Sequence, residues 1–493
     1  MTKMDRKSDN SVVPVKGPNK GITKERPAEA VEGRELAKRK QMRHNTGQTQ
    51  SWETVQSKLQ LLHRKAKEDK QQRFSSLMHH VWNPVTLKQA YFSIESSAAA
   101  GVDGKTYKMY GEQLEQNLTD LSDRLKQRSY RAKPVRRVYI PKGNNQKRPL
   151  GIPVLEDRIV QKAVTIVLNA IYEADFLGFS YGFRSKRSQH QALDALYAGL
   201  MVRKVRWVLD SDIQNFFGTV NHEWMIKFIK HRIADTRVIR LIQKWLNAGV
   251  LEAGIITYAE EGTPQGGNIS PLLANIYLHY VFDLWTQNWR QTKAQSEVIV
   301  VRYADDTVLG FQFQTDAEQY SHALNQRLNK FGLKLNEEKT RLIEFGRYAT
   351  TNRSNRNAGK PETFTFLGFT HMCGTTRNGK FTIIRHTIKS RMRSKVQIIK
   401  EALRIRMHQK TVVTGKWLRT VLLGHYRYFG VSGNMQSMEQ FRFQLLRHWL
   451  HMLRRRSQQR KFTWKQMDYL ALKWLPCPKI YHLHPLERIG VIT

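Results

Sequence analysis

Val298-Ile-Val-Val-Arg-Tyr-Ala-Asp-Asp-Thr-Val-Leu-Gly-Phe311 is the stretch whose reading decides the fold. Two apolar runs of strand length, Val298–Val301 and Thr307–Phe311, flank Tyr303-Ala-Asp-Asp306. The pattern predicts two strands joined by a two-residue turn. Tight hairpins favour Asn-Gly or Asp-Gly there, because glycine most easily adopts φ > 0. Consecutive aspartates bring repulsion instead. A local rule broken inside a strong pattern often marks function.

Upstream, Val205–Asp212 reads as another strand ending in acid, with Asp210 and Asp212 two apart on one face. Carboxylates from two strands meeting at one edge make a site for hard cations such as Mg²⁺, with Mn²⁺ as an alternative. Two such ions can activate a 3′-hydroxyl and stabilise a departing pyrophosphate. On its own an Asp-Asp pair is equally a solvated turn, so the segments around it decide.

Working outward, residues 135–141 read as a strand, and 142–149 as a turn dense in positive charge. A long amphipathic helix follows, with Leu155, Ile159, Val160, Val164, Val167, Leu168 and Ile171 on its apolar face. Gly262-Thr-Pro-Gln-Gly-Gly267 is a tight loop opening a helix with Ser270 as N-cap and Pro271 in the first turn. Phe364–Phe369 is a short strand-like run. Beyond residue 385 only helices are expected, with stripes at Leu418, Val421, Leu422, Tyr426 and Phe429 and at Phe441, Leu445, Leu446, Trp449 and Leu453. The fold class is α+β, followed by a basic helical domain. The expected divisions are a flexible basic extension over 1–50, with a short helix around Glu32–Arg43, and a helical segment over 51–132. A catalytic module over 133–372, a helical domain over 385–470 and a C-terminal segment over 471–493 complete the chain.

The chain carries 82 Lys and Arg against 41 Asp and Glu, a formal net charge of +41. Self-repulsion on that scale calls for a polyanionic partner, nucleic acid above all. Two cysteines, Cys373 and Cys477, exclude a disulfide framework and any cysteine-based zinc knuckle. With no apolar run of membrane length and no signal-peptide pattern, a cytosol or organelle interior is the expected location.

Several segments together resemble reverse transcriptases encoded by group II introns. Tyr303-Ala-Asp-Asp306 resembles their signature tetrapeptide, and Asp212-Ile-Gln-Asn-Phe-Phe217 their first palm motif. Gly262–Asn275 is similar to the segment between those motifs. Arg148–Pro153, Glu156–Gln161, Ser180-Tyr-Gly-Phe-Arg184, Leu335–Thr340 and Phe366–Phe369 fall in the family's order over residues 130–370. The tail, with Leu422–Gly430 and Trp474–Tyr481, resembles the maturase or X domain that doubles as a thumb.

The resemblance implies a right hand of fingers and palm followed by a helical thumb. Asp212, Asp305 and Asp306 would be its catalytic metal ligands, with Asp210 structural. It also implies nucleotide contacts from Lys142, Arg148 and Gln265, a steric gate at Phe217, and Lys339 near the leaving pyrophosphate. Phe216 should point into the core. Arg442, Arg447, Arg454, Arg455 and Arg456 would lie near duplex phosphates. The expected partners are intron RNA, an RNA template–DNA primer duplex, dNTPs and target DNA, and the expected function is target-primed reverse transcription with splicing assistance. A domesticated relative in repair or phage defence, or an RNA-binding splicing factor alone, are the alternatives.

Overall fold

The computed structural model of the protein describes residues 46–488 except 143–145, 253–254, 258–261, 263–265 and 457–461. The short helix expected at Glu32–Arg43 and most of the extension over 1–50 lie outside the described residues. The helix Thr46–Glu68 begins inside that expected extension.

The central sheet holds four antiparallel strands in the order β6 (Ile299–Tyr303), β7 (Asp306–Phe311), β3 (Trp207–Ser211) and β8 (Arg341–Glu344). Helices cover both faces, so the strands read as continuous apolar runs rather than alternating ones. Leu209, Val300, Leu309 and Phe311 pack with the helix Leu155–Asp175 into the larger core. Val208, Ile299, Val301, Val308 and Ile343 face the other way, toward Leu193 and Leu196 of the helix Gln189–Val202. Leu309 is fully buried, and truncating such a side chain to alanine costs roughly 2–5 kcal/mol.

A second sheet runs β2 (Gln146–Ile152), β1 (Val135–Lys142), β4 (Val250–Glu252), β5 (Ile255–Thr257). The stretch 142–149 was expected to be a turn, but Lys142 belongs to β1 and 146–149 to β2. Pro149 is tolerated because β2 is an edge strand, where a missing N–H breaks no ladder. Ser270 is the first residue of the helix Ser270–Leu278, and Ile269 is its cap, without a side-chain bond. The N-cap expected at Ser270 is therefore corrected: a Gly267–Ser270 turn starts the spiral one residue early.

The third sheet, β11 (Phe381–Thr387), β10 (Phe369–Thr375), β9 (Phe364–Phe366), replaces the single short strand expected there. Leu367 and Gly368, at φ 46° and 85°, break that run into two strands. Helices alone begin at Lys389. The helices Lys389–Ile405, Thr411–Phe429, Met435–Arg454 and Trp464–Trp474 build their own core from Leu403, Leu418, Leu422, Phe441, Leu445 and Trp449. The chain then returns to the central module. His482 stacks on His190 with centroids 3.7 Å apart, and Arg488 pairs with Asp194 at 2.8 Å.

Candidate active site

Strand register brings the carboxylates together. Tyr303 pairs with Asp306, so the turn consists of Ala304 and Asp305, and Asp306 already belongs to β7. The turn expected to hold both aspartates thus holds one. Ala304 supplies the left-handed residue, at φ 57°. Ser211 pairs with Thr307, so Asp212, one step further, falls opposite Asp306.

Asp306 is open to solvent but closely crowded. Partial desolvation by the protein packed around it, then the Asp305 and Asp212 charges, pushes its pKa up to about 6, against the pull of Arg391 and Lys339. Asp210 lies across from Val308 and Arg341. Burial raises it to about 7, with Arg341 opposing and Asp306 and Asp212 reinforcing. Asp306 thus feels Asp305 and Asp212, Asp210 feels Asp306 and Asp212, and such crowding favours a cation.

Leu335–Thr340 lies along the end of β3. The Asn336 amide donates to the Asp212 carbonyl at 2.8 Å, and Lys339 Nζ donates to Asp212 Oδ2 at 2.9 Å. That bond, then the charge of Asp212, raises the Lys339 pKa against partial burial. Lys339, expected near the leaving pyrophosphate, stands on the Asp212 carboxylate.

Sequence reasoning missed the support behind the turn. Arg302 is buried, and its Nε and Nη2 donate to the two oxygens of Asp283, each at 2.6 Å. Nη2 also donates to Ser180 Oγ at 2.7 Å, and Nη1 to Asn275 Oδ1 at 3.2 Å and the Ala304 carbonyl at 2.9 Å. All five guanidinium N–H groups are thus used. Asp283 ends a π-helical turn, His279–Asp283, a feature frequent at functional sites. No local pattern marks Ser180, Asn275 and Asp283, which come from two distant segments.

Phe216 is buried against Tyr277, whereas Phe217 is half-buried at the start of a single helical turn, Phe216–Thr219. Gly262, at φ 90°, packs its Cα against the Phe217 carbonyl, where a Cβ would come within 3.0 Å. Lys142 and Arg148 stand on the paired strands β1 and β2, with Arg148 opposite Ile140. Gln265 lies outside the described residues. Its neighbour Gly266 crosses β2 so closely that a Cβ would meet the Gly151 carbonyl at 2.5 Å. Arg391, also missed, comes from the first turn of Lys389–Ile405 and acts on Asp306.

Residues 140–371 match the family described as reverse transcriptase (RNA-dependent DNA polymerase). Protein YkfC of Escherichia coli (strain K12) is 37% identical over 309 residues, which cover 55% of this chain and 80% of that protein. Group II intron-encoded protein LtrA of Lactococcus lactis subsp. cremoris is 37% identical over 225 residues, 45% of this chain and 37% of LtrA. The chain belongs to the group II intron reverse transcriptases. The putative COX1/OXI3 intron 1 protein of Saccharomyces cerevisiae is 28% identical over 314 residues, 54% of this chain and 37% of that protein. The chain therefore spans 37% of the length of both intron-encoded relatives.

This reverse transcriptase is an α+β polymerase with a helical C-terminal bundle, and among the described residues no helix is long and apolar enough to cross a membrane. In that bundle the structure separates the five arginines. Arg442 Nε donates to the Leu475 carbonyl and Arg454 Nε to the Phe462 carbonyl, both at 2.8 Å. Arg456 holds the Gln409 carbonyl at 2.8 Å and Thr411 Oγ1 at 3.3 Å. Arg447 and Arg455 are exposed and make no ion pair among the described residues.

Proposed function

We propose that this reverse transcriptase copies group II intron RNA into DNA from a primed target, with two Mg²⁺ ions held by Asp212, Asp305 and Asp306. The observation that carries this reading is the register that sets Asp212 opposite Asp306, one residue from Asp305 in the turn. Among the described residues no three potential metal ligands already converge into a cage. The donor set nevertheless fits. It consists of oxygens alone, as Mg²⁺ prefers, and Mg²⁺ commonly completes its shell with water and substrate phosphate.

When bound, the ions lower the pKa of the primer hydroxyl and neutralise the leaving pyrophosphate. The protein's own residues do the rest. Arg302 holds the Ala304 carbonyl and so the turn that carries Asp305. Lys339 neutralises Asp212 until a cation competes for it. Phe217 borders the space a ribose 2′-hydroxyl would need, and Lys142 and Arg148 would meet the triphosphate. The net charge of +41 suits intron RNA, the template–primer duplex and target DNA as partners, and the same basic surface would stabilise the intron during splicing.

The test is primer extension on an RNA template with purified Asp305→Ala/Asp306→Ala protein. Extension should fall below detection, while RNA affinity stays within about threefold, since affinity comes mainly from Lys and Arg. Measurable extension by the double variant would overturn the assignment.

A further inference from the structure

The loop between Tyr181 and Arg187 carries two residues in a backbone conformation that side chains rarely adopt: Phe183 at φ 58° and Lys186 at φ 61°. For a residue as bulky as phenylalanine this is a genuine outlier, and it persists only where the surroundings over-determine it.

Here they do. On one side, Gly182 lies so close to the catalytic turn that a Cβ would sit 2.3 Å from the Ala304 nitrogen. Its carbonyl accepts a bond from Asn275 Nδ2 at 2.7 Å. On the other side, the buried Arg184 donates to the carbonyls of Leu177 and Ser180, both at 2.7 Å. Its Nε and Nη2 reach Glu173 Oε2 at 3.1 and 3.0 Å.

The clamps leave the Phe183 ring outside. It is 53% exposed, and its recorded ring contact is with Tyr303, at 6.3 Å between centroids and a 46° tilt. Core packing is therefore not what keeps a phenylalanine there. Lys186 is exposed too and makes no ion pair among the described residues, whereas its neighbour Arg187 lies over the Tyr181 ring. A rigidly presented aromatic face with an ammonium three residues away is the chemistry that holds a nucleotide strand: stacking on a base and a point charge for phosphate.

We propose that Phe183 and Lys186 form a nucleic-acid contact beside the catalytic turn, in which Phe183 stacks on a nucleotide at the primer terminus and Lys186 takes an adjacent phosphate. The proposal rests on the polymerase reading above, because the loop abuts Ala304, one residue from Asp305. The backbone strain then has a function: it aims the ring outward.

Glycine at either position separates this idea from a packing role. Glycine relieves a positive φ, so Phe183→Gly and Lys186→Gly should melt no lower than the wild type. Binding is measured on the full chain with a DNA primer annealed to an RNA template, without nucleotides, by fluorescence anisotropy. Phe183→Gly should bind about tenfold more weakly, as expected for losing one base–aromatic stack, and Phe183→Trp should bind like the wild type. Lys186→Gly should lower the log–log salt slope by about one unit.

Unchanged affinity in Phe183→Gly would overturn the proposal. So would weaker binding accompanied by a lower melting temperature, since the ring would then be a packing residue. Because these measurements need no catalysis, failure of the polymerase reading shows separately, as a wild type that binds primer–template but does not extend it.

Discussion

If Phe217 borders the ribose as proposed, position 217 decides which sugar the incoming nucleotide carries. Phe216 and Phe217 are neighbours with different fates. The first is buried against Tyr277, and the second is half-buried in the helical turn that follows β3. Asn215, in the left-handed conformation at φ 44°, makes the sharp corner that precedes the two rings, one buried and the next half-exposed. Phe217→Ala should therefore lower discrimination against ribonucleotides by at least about tenfold, because a steric wall rejects an added hydroxyl only while it stands. Incorporation of dNTP and rNTP by the same protein, compared as kcat/KM ratios, checks this. An unchanged ratio in an active variant would return Phe217 to the core.

At the scale of elements, the β6–β7 hairpin owes its position to one buried cation. Arg302 donates to both Asp283 oxygens and to the Ala304 carbonyl, and a lysine offers a compact ammonium that cannot span that fork. Arg302→Lys should keep the charge and the fold but reduce primer extension by about tenfold or more and raise the Mg²⁺ concentration needed for half-maximal rate. Arg302→Met alone leaves Asp283 buried without its partner, which costs on the order of 3–5 kcal/mol. The double variant Arg302→Met/Asp283→Leu should recover melting temperature without recovering extension. If extension returns as well, the pair only holds the fold together.

The same elements show what sequence could and could not reveal. The hairpin was legible because continuous apolar runs bracket a polar turn, and the motif order made the α+β polymerase fold readable. The β10–β11 hairpin was not read, although Asn378-Gly379 is a turn signal, because its strands carry polar residues such as His371, Arg385 and His386. The approach of Asp212 to Asp306 and the segments meeting at Arg302 depend on contacts far apart in sequence, which local periodicity does not carry. Phe183 could be quoted in a motif, but its positive φ and exposure belong to the folded loop alone.

At the scale of the whole molecule, copying should depend on the carboxylate edge, and both copying and splicing on the helical bundle. The bundle has its own apolar core and is stitched back to the central module through His482 on His190 and Arg488 on Asp194. Its cations are not equivalent. Arg442, Arg454 and Arg456 spend their guanidinium groups on carbonyls of the bundle itself, whereas Arg447 and Arg455 stand free at the surface among the described residues. Phosphate contact should therefore come from the second pair. Arg447→Gln/Arg455→Gln should flatten the log–log salt dependence of RNA binding by about one to two units, one for each phosphate lost. Extension and splicing should both weaken, because duplex and folded intron share the same backbone charge. Arg442→Gln should instead lower the melting temperature, losing a charge-assisted bond worth on the order of 1–2 kcal/mol, and leave the slope alone. Asp305→Ala should abolish extension and spare splicing, since no carboxylate of the site is needed to grip RNA. Melting curves, salt titrations, extension and splicing of a group II intron RNA that the wild type assists, on the same four purified proteins, decide the matter. A slope that follows Arg442 rather than Arg447 and Arg455, or a splicing defect in Asp305→Ala, would refute this division of labour.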